Sequence, residues 1–295
     1  MKTIIKIYIL MWLLHPYCFS QSNQIVLSKN SHVMDISPDS RYILLRKFNW
    51  EDLKEQKRGS DSLVMIDSET GKTFFTLNNI DERRIFDAFF IDEKRIFIRG
   101  ENKCEIYTIG CPNKLIQDSL IEKLNGEHFR IFRKEGLIFF LQPDISLEKF
   151  TIFWYDIKDN RTDKYSFYED IVNLSDFVLY NKDTLIIAFS NKFVMLSINM
   201  KTITPLLDIS DKDLTCNESS IAITNDESKL LYSDYEDYRF MCFDMKSRMK
   251  KEVIELKSCF NPKISPDNSF MIVEKINGRF VTPIIYKSFR GLLDN

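Results

Sequence analysis

MDISPDSRYILLRKF, Met34 to Phe48, followed after a polar insertion by LVMIDSETG, Leu63 to Gly71, sets the reading of the chain. The first segment is a hairpin closed by Ser37-Pro38-Asp39-Ser40, and the second is a third strand ending in an Asp-x-x-Thr-Gly turn. Pro38 presets the φ angle required at the second position of a type I turn. The Ser37 and Asp39 side chains can accept nearby backbone N–H groups. The same unit returns near the C-terminus as KISPDNSFMIVEK, Lys263 to Lys275. A unit found near both ends points to a chain built from copies of one β-module.

Between these ends the module can be followed by its acidic turns. Asp39 precedes Tyr42–Leu45, Asp92 precedes Arg95–Ile98, and Glu135 precedes Leu137–Leu141; Asp183, Asp226 and Asp267 stand before three further apolar runs. Successive anchors lie roughly 41 to 53 residues apart, a spacing that marks propellers and solenoids. Each turn strand is followed by another apolar run, and most of these by a polar turn and a weaker strand, as at Lys72–Leu77, Lys164–Tyr168, Ile203–Leu207 and Glu252–Leu256. Four strands per repeat make a propeller blade, whose two faces are buried against the neighbouring blades. Aromatic residues at 13%, with 24 Phe and 12 Tyr, suit strands buried on both faces.

The sixth repeat, Ser265–Tyr286, offers three strands. Asn23–Leu27, NQIVL, belongs to no repeat of its own. It is expected to pair as the outer strand of the sixth blade, so that no sheet edge is left open. The fold expected is all-β: one six-bladed propeller of four-stranded antiparallel blades over residues 21–295, closed by the N-terminal strand. Leu115–Leu124 alone has a helical spacing of apolar residues, and it reads equally as an outer strand with a connector.

Ile36-Ser37-Pro38-Asp39 and Ile264-Ser265-Pro266-Asp267, each before an apolar strand, resemble the repeats of the TolB-like and WD40-like six-bladed propellers. Ile223-Thr224-Asn225-Asp226 is similar, and the middle blades share only the pattern. The resemblance implies an extracytoplasmic scaffold that binds proteins or peptides. It brings no catalytic residues with it.

Residues 1–20 have the three parts of a signal peptide: Lys2 and Lys6, the apolar run Ile7–Leu14, and small residues at Cys18 and Ser20 before Gln21. The run is too short to cross a bilayer, and no later segment reaches about 20 apolar residues. Export, to the periplasm or the cell surface, is the expectation, with no integral membrane segment in the mature chain. The formal net charge is −2, which becomes about −4 once the two leader lysines are removed. No basic face of the kind nucleic acid demands is visible. Five cysteines remain after the leader, and Cys104 and Cys111 are expected to flank one extended strand, too far apart to bridge.

The sequence has no Gly-x-Ser-x-Gly elbow, no Gly-rich nucleotide loop and no Cys-x-x-Cys pair. The mature chain has His32 and His128 as its histidines. The turn acids Asp39 and Asp267 read as backbone caps rather than calcium ligands. No catalytic residue, metal or cofactor is assigned. Binding is placed in two insertions between second and third strands, NWEDLKEQKRGS at Asn49–Ser60 and Gln142–Lys149, which a propeller carries on the rim around the channel mouth. Trp50 in a charged loop is the leading contact residue, with Lys54, Arg58 and Asp144 beside it. The expected function is a monomeric, non-enzymatic scaffold for a protein, peptide or glycan. The alternative is a carbohydrate-active hydrolase or lyase that uses carboxylates in the central channel.

Overall fold

The computed structural model describes residues 24–48, 61–77, 84–100, 103–115, 124, 126–144, 149–167, 174–189, 192–208, 221–234, 239–278 and 280–294. These form six four-stranded antiparallel sheets. The first blade is β2 (Ser31–Ile36), β3 (Tyr42–Phe48), β4 (Asp61–Asp67) and β5 (Thr73–Leu77). The second is β6 (Ile85–Phe90), β7 (Arg95–Gly100), β8 (Cys104–Thr108) and β9 (Cys111–Leu115). The third is β10 (Glu127–Phe132), β11 (Leu137–Asp144), β12 (Lys149–Asp156) and β13 (Arg161–Phe167). The fourth is β14 (Leu174–Asn181), β15 (Thr184–Phe189), β16 (Lys192–Ser197) and β17 (Thr202–Asp208), and the fifth is β18 (Ile221–Ile223), β19 (Lys229–Asp234), β20 (Arg239–Asp244) and β21 (Lys250–Glu252). The sixth runs β22 (Cys259–Ile264), β23 (Phe270–Asn277) and β24 (Phe280–Lys287), with β1 (Gln24–Val26) added on the outside of β24. There Ile25 lies across from Ile285, and the chain continues alongside β24 through Leu27 N–H to Pro283 O at 2.9 Å and Asn30 N–H to Val281 O at 2.8 Å.

The first strand of each blade lies innermost. β2 approaches β6, β6 approaches β10, and so on through β14, β18 and β22, which returns to β2 and completes a ring around a central channel. Alternation along each strand sends neighbouring side chains to opposite faces. Ile43 and Leu45 therefore pack toward the sixth blade, and Leu44 between them packs toward the second. This explains apolar runs that do not alternate with polar residues: both faces are dry. Six apolar clusters result, one in each gap between blades. A short C-terminal helix, α1 (Arg290–Asp294), adds Leu293, with Phe289 just before it, to the gap between the fifth and sixth blades.

The recurring turn does what its residues dictate. In the first blade Ser40 N–H bonds Ser37 O at 2.9 Å, the Ser37 hydroxyl accepts Tyr42 N–H at 2.8 Å, and Asp39 accepts Arg41 N–H at 3.1 Å. In the sixth, Ser265 and Asp267 repeat the pattern on Phe270 N–H and Ser269 N–H. Thr224 and Asp226 repeat it in the fifth. Partial burial works to raise the Asp267 carboxyl, but the Ser269 N–H and the hydroxyls of Ser269, Ser265 and Ser40 outweigh it and bring the pKa down to about 2.

Two expectations are corrected. Cys104 and Cys111 do not share a strand: β8 ends at Thr108, the chain turns at Ile109-Gly110, and Cys111 opens β9 opposite Thr108. Cys104 is a free thiol. The segment Gln142–Lys149 is not a loop throughout, because β11 and β12 stay paired as far as Asp144 opposite Lys149. The connection there is 145–148. For Leu115–Leu124, Leu115 ends β9 and residues 116–123 lie outside the described residues.

Candidate functional site

The channel wall is built from irregular inner strands. The pairing register slips in five of them, at Val33/Asp35, Ile85/Asp87, Glu127/Arg130, Leu174/Asp176 and Phe260/Lys263. A bulge sharpens the twist and re-aims the next side chain. In every case the residue that resumes the register is ionisable: Asp35, Asp87, Arg130, Asp176 and Lys263. Asn261, at φ 50°, takes the left-handed conformation that Asn tolerates, and Pro262 falls where the ladder is already interrupted. Two cavities, of about 260 and 690 Å³, follow one another along the channel, and Asp35, Arg130, Ile131 and Lys263 line both, which places them at its waist.

Most of these charges hold blades together. Asp35 accepts Phe90 N–H at 2.8 Å and pairs with Arg133, whose guanidinium also donates to Phe90 O at 2.7 and 2.9 Å. One cluster thus ties the first and third blades to the inner strand of the second. Arg99 pairs with Asp87 at 2.6 Å within the second blade. Arg130 reaches across to Asp176 at 2.8 Å, and Asp176 in turn accepts Phe177 N–H at 2.8 Å and Ile221 N–H at 2.9 Å. Asn225 spans the fifth and sixth blades, donating to Ser265 O and Pro266 O. At the last joint the fully buried Glu274 accepts Val33 N–H at 2.5 Å, Asn261 Nδ2 at 2.8 Å and a contact from His32 Nδ1 at 2.8 Å. Polar bonds therefore bridge all six gaps; the carboxylates Asp35, Asp176 and Glu274 are each committed to such a contact, and Asp87 is committed to Arg99 within its own blade.

Lys263 stands apart. It is the counterpart in the sixth blade of Asp35 in the first, two residues before the Ser-Pro-Asp turn. Among the described residues its ammonium makes no hydrogen bond or ion pair. Burial holds its pKa below the usual lysine range, the Arg130 charge adds to this, and Asp35, Asp176 and Glu274 oppose it.

The mouth of the smaller cavity is walled by His32, Arg46, Phe86, His128 and Phe260. Phe86 is 41% exposed, with the Arg99 guanidinium 5.0 Å from its ring centre. Trp50, Lys54 and Arg58 lie in 49–60, outside the described residues, but the roots of that segment are placed. Phe48 and Asp61 pair directly at the ends of β3 and β4. The Phe48 ring meets His32 edge-on at 5.2 Å and carries the Arg46 guanidinium at 4.4 Å. Asp61 accepts Ile85 N–H at 2.9 Å, and Arg46 donates to Ile85 O at 2.5 Å. The insertion is rooted at the channel mouth. Asp144 falls at the end of β11 on the same side of its blade. Sequence reasoning missed the channel charges; a signal for one was present, since Asn261-Pro262 inside an apolar strand announces an interrupted ladder. Among the described residues no three His, Cys, Asp or Glu side chains converge in a way that could hold a metal ion.

No protein-family model matches the sequence, and no curated protein sequence matches it significantly. Solved structures do match in fold. TolB from Acinetobacter baumannii superposes with a TM-score of 0.52 at 11% identity over 90% of this chain, which spans 64% of the length of that one. A nidogen/laminin complex gives 0.52 at 8% identity over 75% of this chain and 79% of its own. The β-propeller domain of Cps50 (Swd1) from Myceliophteria thermophila gives 0.52 at 9% identity, covering 88% and 83%. At such identities the likeness bears on architecture alone, and by architecture the chain is a six-bladed β-propeller.

Proposed function

We propose that the protein is an exported, non-enzymatic propeller scaffold that binds a protein, peptide or glycan partner through the channel face on which residues 49–60 are rooted. The observation that carries this reading is the unequal length of the connections on the two faces. On one face the hairpins are tight, as at 37–41, 91–94, 133–136, 182–183 and 265–269. On the other lie 49–60, 78–84, 116–126, 168–173 and 209–220. Length added to one face of a rigid ring is length available for recognition. Export rests on the leader-like residues 1–20, and Trp50 is the anchor favoured within the loop. Among the structural neighbours, nidogen was solved in complex with another protein, laminin. The carboxylate hydrolase or lyase draws little support, because Asp35, Asp87, Asp176 and Glu274 already answer internal donors.

The test uses the mature chain as bait for crosslinked co-purification from its native extracytoplasmic fraction. Trp50→Ala combined with deletion of 51–59 is expected to abolish capture while leaving the circular dichroism spectrum unchanged. Capture that survives this double change overturns the assignment of the face.

A further inference from the structure

Of the five ionisable side chains that follow the bulges, four are consumed by partners across or within blades: Asp35 by Arg133, Asp87 by Arg99, and Arg130 and Asp176 by each other. The fifth, Lys263, projects into the waist with no direct partner among the described residues. Lys263 is half-buried in the channel wall, where an ammonium partly withdrawn from water without a partner is costly. Asp35, Asp176 and Glu274 offset that cost in part through space, but none of them bonds the ammonium directly: they are engaged by Phe90 N–H and Arg133, by Ile221 N–H and Arg130, and by Val33 N–H, Asn261 and His32. A ring placed on Asp35 in one blade and Lys263 in its neighbour also shows that the position accepts either sign, so a lysine there is not forced by packing.

We propose that the waist of the channel is a carboxylate-binding site, in which the Lys263 ammonium receives the anionic group of a ligand that enters through the mouth beside Phe86. A single negative charge matches Lys263, the one waist cation that has no direct partner among the described residues, and forms a charge-assisted hydrogen bond. A phosphate dianion is disfavoured, because the negative charges of Asp35, Asp176 and Glu274 all act at Lys263. The cavity of about 260 Å³ has room for a short acyl or peptide end, and Phe86, Phe89, Phe129 and Phe260 supply apolar wall for the carbon chain behind the carboxylate. The inference deepens the scaffold reading, with which it shares the mouth, by stating the chemistry the ligand presents.

Trace acetylation of the folded wild-type chain with acetic anhydride, read lysine by lysine by mass spectrometry, tests the site directly. The probes are sodium butyrate, the tripeptide Ala-Ala-Phe with a free carboxylate, and the same tripeptide as its C-terminal amide. Butyrate or the free tripeptide is expected to slow acetylation of Lys263 at least fivefold and saturably, with Lys251 and Lys287 unchanged. Protection by butyrate alone identifies a free small acid as the ligand class, and stronger protection by the tripeptide identifies a peptide terminus. No protection by either, or equal protection by the amide, overturns the proposal. In equilibrium dialysis with labelled butyrate, Lys263→Met is expected to lose at least tenfold in affinity and Lys263→Arg to retain binding; unchanged affinity in Lys263→Met also overturns it. Should Lys263→Met not fold, the acetylation result on the wild-type chain decides alone. Failure here leaves capture through the 49–60 face untouched, and loss of that capture leaves Lys263 protection unchanged, so the two readings fail separately.

Discussion

Glu274 lies in the apolar run Phe270–Lys275 and is fully buried, yet its carboxylate is surrounded by donors. Val33 N–H and Asn261 bind Oε1, and His32 meets Oε2, so a residue of the sixth blade closes the polar contact to the first. Truncation to alanine would leave these groups without their acceptor at the joint between the sixth and first blades. Glu274→Ala is expected to lower unfolding free energy by about 3–5 kcal/mol in urea titration, as removal of one member of a buried charged cluster does. Glu274→Gln retains a carbonyl oxygen for Val33 N–H and should cost clearly less. Equal losses in the two variants would mean that side-chain volume rather than hydrogen bonding matters at this position. Nothing in MIVEK marked this glutamate as buried, because the reason lies in blade one, some 240 residues earlier in the chain. The turn acids were readable for the opposite reason: Asp39, Asp67, Asp244 and Asp267 bond backbone groups two or three residues away.

At the scale of strands, local chemistry revealed the hairpins and hid the bulges. Ser-Pro-Asp is sufficient to place a turn in the first and last repeats, and the acidic turns between them counted the blades. A bulge depends on the register against the neighbouring strand, so the ring of charges behind the five slips could not be read from any one segment. The end of β11 was misjudged in the same way. Gln142-Pro143-Asp144 has the composition of a loop, and only its pairing with residues 149–151 keeps it in the sheet. Strand β1 is three residues long and gains its place from outside itself: Ile25 and Leu27 pack with the cluster between the first and sixth blades, and Gly71 comes so near that a Cβ there would sit 3.0 Å from Ile25 Cγ2. Deletion of residues 21–30 is expected to lower the melting temperature by several degrees in differential scanning calorimetry, since it uncovers β24 and part of this cluster. An unchanged thermogram would show that β1 contributes nothing to holding the ring.

In the whole molecule each blade touches its two neighbours, and the six apolar clusters are separate sets of residues. Stability in such an array is close to a sum of interface contributions, with one addition peculiar to a ring: opening any gap leaves the remaining five as an unclosed stack. Ile272 fills the gap between the sixth and first blades, and Leu196 fills that between the third and fourth; both are fully buried. Ile272→Ala and Leu196→Ala are each expected to cost about 2–5 kcal/mol, the usual loss when a large apolar side chain is cut back in a packed core. No residue is shared between the two clusters, so the double variant should lose the sum of the single losses to within about 0.5 kcal/mol by urea denaturation. A larger shortfall would mean that once one gap has loosened, the opposite gap no longer carries its full share, because closure had been straining or supporting both. The polar contacts across the gaps favour additivity, since Asp176 bonds Ile221 N–H at the joint between the fourth and fifth blades and Glu274 bonds Val33 N–H at the joint between the sixth and first, with no group in common.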